Sequence, residues 1–315
     1  MLKSNINDVK NTLQETSFPQ DIIVEASGYC NLRCTMCPYP NLVRPKGEMK
    51  FEIFKKIVDE VAIENPTSRL WLAIMGEPLL MGDRVIRMMT YAKEKGLAEV
   101  ILNTNATFMT PDLIPKLIDS GLDKIILSLD AITAETYDRV RIGGNLTKVM
   151  ENIHAFLSIQ AARNTRKPEL VAQFIVMDEN EHETEQFKEY WLSQGVIVKV
   201  RPKLGWGHGV KAENLETMRE EVSRDFACAW LTRTVSIHWD GTFAQCDADH
   251  EGEFSPGDLR TQTIKDVWDG ELAKRRQRHW DSDFDFEPCR NCNDWLAGRS
   301  YFFHPENPTG LGGKA

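Results

Sequence analysis

Up to residue 203 the chain alternates short apolar runs with longer amphipathic ones, and few architectures accept that order. The runs DIIVEA (residues 21–26), RLWLAI, EVILN, KIILSLD, LVAQFIVM and VIVKVRP are short and almost continuously apolar. Strands of that kind are covered on both faces. Segments with helical spacing lie between them. KFEIFKKIVDEVAIE places Phe51, Phe54, Ile57, Val58 and Val61 on one face. DRVIRMMTYAKEKG reads as a helix ending at Gly96, and TPDLIPKLIDSG as one with Thr110 as N-cap, Pro111 at its first position and Gly121 past its end. Residues 146–163 form a long helix on this reading, and TEQFKEYWLSQG another. Six β/α units predict an α/β fold with a parallel sheet, as an open barrel or a doubly wound sheet. In both, loops at the carboxyl ends of the strands carry the chemistry.

The pattern then changes. LGWGHGVKAENL is glycine-rich and reads as part of a linker over residues 204–226. TVSIHWDGTFAQCD reads as a hairpin turning on Asp240-Gly241. TIKDVWDGELAKRRQRHW reads as one helix, capped by Thr263 with Asp266 reaching back. The predicted organisation is an extension (1–20), a β/α region (21–203), the linker, a smaller region (227–300) and a tail (301–315). The aromatic start of the tail, Tyr301 to Phe303, is expected to dock on the barrel.

A net charge of −9 over 315 residues disfavours binding to nucleic acid or to anionic membranes. There is no run of 18 apolar residues, and the polar N-terminal stretch lacks the apolar core of a secretory signal. A cytoplasmic location follows as an expectation, and there thiols stay reduced. The seven cysteines then read as metal ligands or reactive thiols, and an odd number cannot all pair.

Three of the seven, Cys30, Cys34 and Cys37, crowd into YCNLRCTMCP directly after the first strand. A structural zinc site takes four ligands. A cubane iron–sulfur cluster has four irons, and three thiolates leave one of them open to a substrate or cofactor. The Cys-x3-Cys-x2-Cys spacing resembles the signature of radical S-adenosylmethionine (radical SAM) enzymes. The resemblance implies a partial (β/α)6 barrel, a [4Fe–4S] cluster on these three cysteines, and SAM bound at the open iron. It also implies cleavage of SAM to a 5′-deoxyadenosyl radical and an external one-electron donor such as a flavodoxin or ferredoxin.

Further segments match the family in order over residues 22–203. MGEPLL resembles the family's GGE segment, with Gly76 and Glu77 in place and Met75 where a first glycine is common. NTNATFMTPDLI resembles its TNG strand end, with Thr104 and Asn105 in place and Ala106 for the usual glycine. SLDAITAETYDRVRIGGN offers Ser128, Asp130 and Arg141. VMDENEHETEQF resembles a sixth element with Asn180 at its polar turn. By this resemblance Gly76, Glu77, Asn105, Ser128, Asp130 and Arg141 are the candidate SAM-binding residues.

Cys228, Cys246, Cys289 and Cys292 are spaced Cys-x17-Cys-x42-Cys-x2-Cys. Four thiolates can enclose one cluster or one zinc. The surrounding text resembles the auxiliary-cluster region called SPASM. Four cysteines where a full region has seven suit its short form, twitch, a small β-hairpin plus helix domain. The implied cofactor is a second, fully ligated [4Fe–4S] cluster.

With three and four cysteines assigned, no spare thiol remains to return a hydrogen atom, which disfavours a cysteine-donor epimerase. The layout resembles the 2-deoxy-scyllo-inosamine dehydrogenase type. That implies oxidation of a hydroxyl on a sugar or aminocyclitol-type small molecule, with Arg201, Lys203 and His208 as candidate proton acceptors. Epimerisation and peptide or sulfatase maturation are the alternatives. The short stretch before the first strand weighs against a leader-binding peptide maturase. A non-catalytic metal-stabilised module is a different class, and an incomplete ligand set argues against it.

Overall fold

The computed structural model describes residues 10, 11, 13–207, 209–210, 224–292, 294–296 and 300–308. Six parallel strands follow in sequence order: β1 (Asp21–Val24), β2 (Arg69–Leu72), β3 (Glu99–Thr104), β4 (Lys124–Ser128), β5 (Glu169–Val176) and β6 (Ile197–Pro202). The helices α1 (Phe51–Glu64), α2 (Asp83–Glu94), α3 (Ile114–Asp119), α4 (Ala134–Val140), α5 (Leu146–Ala162) and α6 (Thr184–Ser193) connect them.

Strand alternation sorts side chains into two compartments. Ile22, Val24, Leu70, Leu72, Val198 and Val200 point outward into the core under the helices. Phe54, Ile57, Val58 and Val61 of α1 meet them there, as their spacing predicts. The opposite faces of all six strands line one cavity, so the sheet curls into an open barrel. A small apolar cluster, Ile101, Ile126 and Val171 with Trp71, Ile197 and Phe302 against it, packs inside.

The C-terminal region extends the same sheet at both edges. β7 (Thr234–Ile237) runs parallel to β1, pairing Asp21 with Thr234, and β8 (Phe243–Ala244) is antiparallel to β7. β9 (Tyr301–Phe303) pairs antiparallel with β6, placing Phe302 opposite Lys199. The start of the tail therefore docks as a strand along the barrel edge.

Three local expectations are corrected. Helix α3 starts at Ile114, not at Pro111: the Thr110 carbonyl accepts from Leu113 and Ile114, and residues 111–113 form a turn. The hairpin turn is longer than two residues: Gly241 N–H closes on the His238 carbonyl at 2.9 Å, and Gly241 takes a φ of 94°. The single helix near the C-terminus is two, α8 (Ile264–Asp269) and α9 (Glu271–Trp280), broken at Gly270. A short helix ahead of both, α7 (Ala229–Arg233), follows Cys228 directly. The capping box of Thr263 and Asp266 forms as predicted.

Candidate active site

Cys30, Cys34 and Cys37 sit on the loop leaving β1, at the carboxyl end of the parallel strands. Backbone bonds fasten this loop to the end of α4: Arg33 N–H donates to Ile142 O at 2.9 Å and Thr35 N–H to Val140 O at 3.0 Å. Cys30 N–H donates to the Tyr39 hydroxyl at 2.8 Å. All three cysteines are free and face the cavity. Burial pushes the Cys30 thiol up to about 11 and the Cys37 thiol up to about 12. Thiolates here require nearby positive charge, which metal coordination supplies.

The next loops pack onto this one. Glu77 N–H donates to Tyr29 O at 2.7 Å, and Gly76, at φ 82°, lies against the Ser27 carbonyl. The buried Glu77 carboxylate accepts from Thr104 Oγ1 (2.7 Å), Asn105 N–H (2.7 Å) and Leu79 N–H (3.0 Å), joining the ends of β2 and β3. Burial raises its pKa. A carboxylate has about four acceptor positions, and three are used. One position facing a cation suits the amine of SAM. Asn105 also reaches the cysteine loop, its Nδ2 donating to Asn31 Oδ1 at 2.9 Å.

Gly76, Glu77, Asn105, Ser128 and Arg141 all line the cavity. Asp130 does not. It is fully buried at φ 61°, pairs with the Arg141 guanidinium and accepts from Ile175 N–H at 2.6 Å. Asn180 Nδ2 donates to its carbonyl at 2.8 Å. Asp130 thus orients Arg141, whose Nη1 reaches Cys34 Sγ at 3.4 Å and whose Nε is buried without a partner among the described residues. The helix after Asp130, α4, is capped by Thr133.

Of the candidate proton acceptors, Arg201 lines the cavity, with Nε 3.3 Å from Gln173 Oε1. Lys203 is not among the lining residues, and His208 lies outside the described ones. Lys199 is a cavity residue that sequence reasoning missed. Its inward phase on β6, shared with Arg201, is the signal that identifies it. Burial, then repulsion from Arg201 and Arg69, holds its amine down to about 7.

The other four cysteines gather behind the opposite wall. Charge on Cys228, Cys292 and Cys289 would each raise Cys246, so the four thiols share one volume. Gln245 Nε2 donates to Cys289 Sγ at 3.1 Å and Asp294 N–H to Cys292 Sγ at 3.3 Å. Among the described residues no three His, Cys, Asp or Glu side chains converge closely enough for one metal ion. Thiols that are grouped but not converged suit a cluster better than zinc. Ala229 and Trp230, next to Cys228, and Asp247, next to Cys246, line the same cavity as the first three cysteines. Its volume is about 310 Å³.

Comparison with known proteins agrees with this geometry. Residues 228–293 match the SPASM iron–sulfur cluster-binding domain. A tungsten-containing aldehyde ferredoxin oxidoreductase cofactor-modifying protein from Pyrococcus furiosus is 28% identical over 177 residues, 56% of this chain and 49% of that one. The chain thus spans about half the length of that relative. BtrN, solved in complex with AdoMet and 2-DOIA, superposes with a TM-score of 0.61 at 17% identity, over 89% of this chain and 94% of that one. Streptococcus suis SuiB bound to precursor peptide SuiA gives a TM-score of 0.66 at 15% identity, over 83% and 67%. At such identities the likeness is one of fold. Residues 24–190 match the radical SAM superfamily, and the chain belongs to it: an enzyme with a [4Fe–4S] cluster, SAM and a SPASM auxiliary cluster.

Proposed function

We propose that this enzyme is a dehydrogenase of the twitch type that oxidises a hydroxyl group of a sugar or aminocyclitol-type small molecule. The observation that carries the reading is one cavity lined by Cys30, Cys34 and Cys37 and also by Ala229, Trp230 and Asp247, the chain neighbours of Cys228 and Cys246. The small-molecule reading also draws on the likeness to BtrN, whose structure contains 2-DOIA.

In this reading Cys30, Cys34 and Cys37 hold the SAM cluster, and Cys228, Cys246, Cys289 and Cys292 the auxiliary one. The first cluster, when bound and reduced, would supply the electron for cleavage of SAM to methionine and a 5′-deoxyadenosyl radical. Glu77 would accept from the SAM amine, and Arg141, held by Asp130, would meet the SAM carboxylate. Gly76, Asn105 and Ser128 shape the same wall. Arg201 hydrogen-bonds the substrate hydroxyl and orients its carbon toward SAM. A ketone would form when the carbon gives a hydrogen atom to the 5′-deoxyadenosyl radical, making 5′-deoxyadenosine, the hydroxyl gives its proton to a base at the cavity wall, and the remaining electron passes to the auxiliary cluster. A flavodoxin or ferredoxin class protein is the external donor.

The test is anaerobic incubation with SAM, dithionite and a panel of sugars and aminocyclitols. Ketone and 5′-deoxyadenosine formed in equal amounts support the reading. A product of unchanged mass with an inverted carbon would replace it with epimerisation.

A further inference from the structure

The chain is acidic overall, yet its cavity is not. Eight charged side chains line it, five of them cationic: Arg69, Arg141, Lys199, Arg201 and Arg233 against Asp21, Glu77 and Asp247. Asp21 of β1 is consumed by Arg69 of β2 through two bonds of 2.7 and 2.9 Å, and by Trp71 Nε1 at 2.8 Å. Arg141 is neutralised by Asp130. Glu77 is bonded to Thr104, Asn105 and Leu79 at the ends of β2 and β3. That leaves Lys199 and Arg201 of β6 and Arg233 at the end of α7, with Asp247 as the remaining carboxylate of the lining. Asp247 is bonded to the Ser236 hydroxyl, not to a cation.

Among the described residues, none of these three cations has a carboxylate within ion-pair distance. Lys199 Nζ has only aromatic faces beside it, 6.0 Å from the Trp71 ring centre and 5.8 Å from that of Phe302. Arg201 bonds only to the Gln173 side chain and the Pro202 carbonyl. Arg233 Nε is buried with no partner. Uncompensated charge in an enclosed site is costly, and natural proteins retain it where a ligand completes it. β9 sharpens the point. By pairing Phe302 with Lys199 it closes this side of the barrel with an aromatic ring, removing solvent that would otherwise hydrate the amine.

We infer that Lys199, Arg233 and Arg201 form a subsite for an oxyanion on the substrate, a carboxylate or a phosphate ester. The inference rests on the reading of this cavity as the substrate site and narrows its substrate class. Acidic or phosphorylated sugars fit, whereas an amine-bearing cyclitol would place like charge against three cations. The pairing is charge-assisted, and Arg233 offers a planar fork suited to either oxyanion. Burial destabilises the charged forms of all three, with repulsion from Arg201 and Arg69 added at Lys199, from Arg141 at Arg201 and from Arg69 at Arg233, and a bound anion offsets this.

The experiment is calorimetric titration of the anaerobically reconstituted protein without reductant, so that no turnover is needed. The probes are D-gluconate, D-glucose 6-phosphate, myo-inositol and D-glucosamine in phosphate-free buffer. At least one anionic probe should bind tenfold or more tightly than both the neutral and the cationic ones. The better of the two anions distinguishes carboxylate from phosphate. Lys199→Met should weaken that anion tenfold or more, with Lys199→Arg restoring most of the loss. Equal or tighter binding of inositol or glucosamine overturns the inference. So does unchanged anion affinity in a folded, iron-loaded Lys199→Met protein. If that variant does not load iron, Arg233→Gln is scored by the same criterion, and the wild-type probe ranking decides independently. Anion preference without ketone formation would sink the dehydrogenase reading alone, and ketone formation without anion preference would sink this one alone.

Discussion

A Cβ on Gly76 would lie 1.8 Å from the carbonyl oxygen of Ser27. No side chain fits there, and the φ of 82° is itself one that other residues rarely adopt. The loop after β2 is thereby pressed onto the cysteine loop, within reach of the 2.7 Å bond from Glu77 N–H to Tyr29 O. Gly76→Ala should cost about 2 kcal/mol or more of stability. Thermal melting of the iron-loaded protein checks this, and an unchanged midpoint would mean that the two loops are not clamped together.

Glu77 separates fold from cofactor binding. Its carboxylate holds Thr104, Asn105 and Leu79, and burial raises its pKa. Glu77→Gln keeps the size and loses the charge proposed for the SAM amine, together with one acceptor, so that either the Asn105 or the Leu79 N–H gives up its side-chain partner. SAM affinity, measured by equilibrium dialysis on the oxidised protein, should fall by about tenfold or more, in line with the loss of a charge-assisted bond. Iron content should not change. Unaltered SAM affinity would remove Glu77 from the cofactor site.

The buried amine of Lys199 gives a pH signature. The folded protein releases this proton near 7, whereas an unfolded lysine keeps it to an ordinary value near 10.5. Between those values the unfolded state binds more protons, so stability rises with pH across the window. The full penalty of a buried charge applies below about 7. The charged groups facing it are Arg201 on β6, Arg69 on β2 and Asp21 on β1, of which only Asp21 favours the proton. In buffers free of oxyanion ligands, Lys199→Met should therefore be more stable than wild type at pH 6, by on the order of 2 kcal/mol. The difference should shrink between pH 7 and 10. A constant difference would contradict the buried-charge account.

Asp294 ties the two cysteine regions together. Its carboxylate accepts from Gly205 N–H at 2.6 Å and Gly207 N–H at 3.2 Å, while its own N–H donates to Cys292 Sγ. Between those glycines, Trp206 Nε1 donates to the carbonyl of Met36, in the first cysteine loop. Asp294→Ala orphans two amides at a cost of about 1–3 kcal/mol each where buried. Hydrogen exchange at residues 205–207 should accelerate at least tenfold, and unchanged exchange would show that the segment is held by other contacts.

Much of this arrangement is written in local sequence. The face of α1, the Thr263 capping box and the first cysteine group depend on spacings within a few residues, which the sequence displays directly. Lys199 is harder to see. In VIVKVRP a lysine between valines reads equally as a solvent-facing strand position, and only curling of the sheet turns that face inward. The parallel pairing of β7 with β1 joins residues more than 200 positions apart, which no local pattern encodes. Gly270 illustrates the limit of periodicity: both helices around it carry a regular pattern, and the backbone angle that separates them leaves none. Asp130 resembles a capping residue in sequence, and its role as the partner of Arg141 emerges only when α4 folds back over β4.

The central claim is that the seven cysteines hold two clusters, three on one and four on the other. The most direct measurement is an iron and sulfide count on an anaerobically reconstituted variant with Cys30, Cys34 and Cys37 all changed to alanine. About four irons and four sulfides should remain per chain, against about eight of each in the parent protein. A count near zero would contradict the account: the C-terminal thiols would hold no cluster, and Cys246 would become free to act as a hydrogen donor.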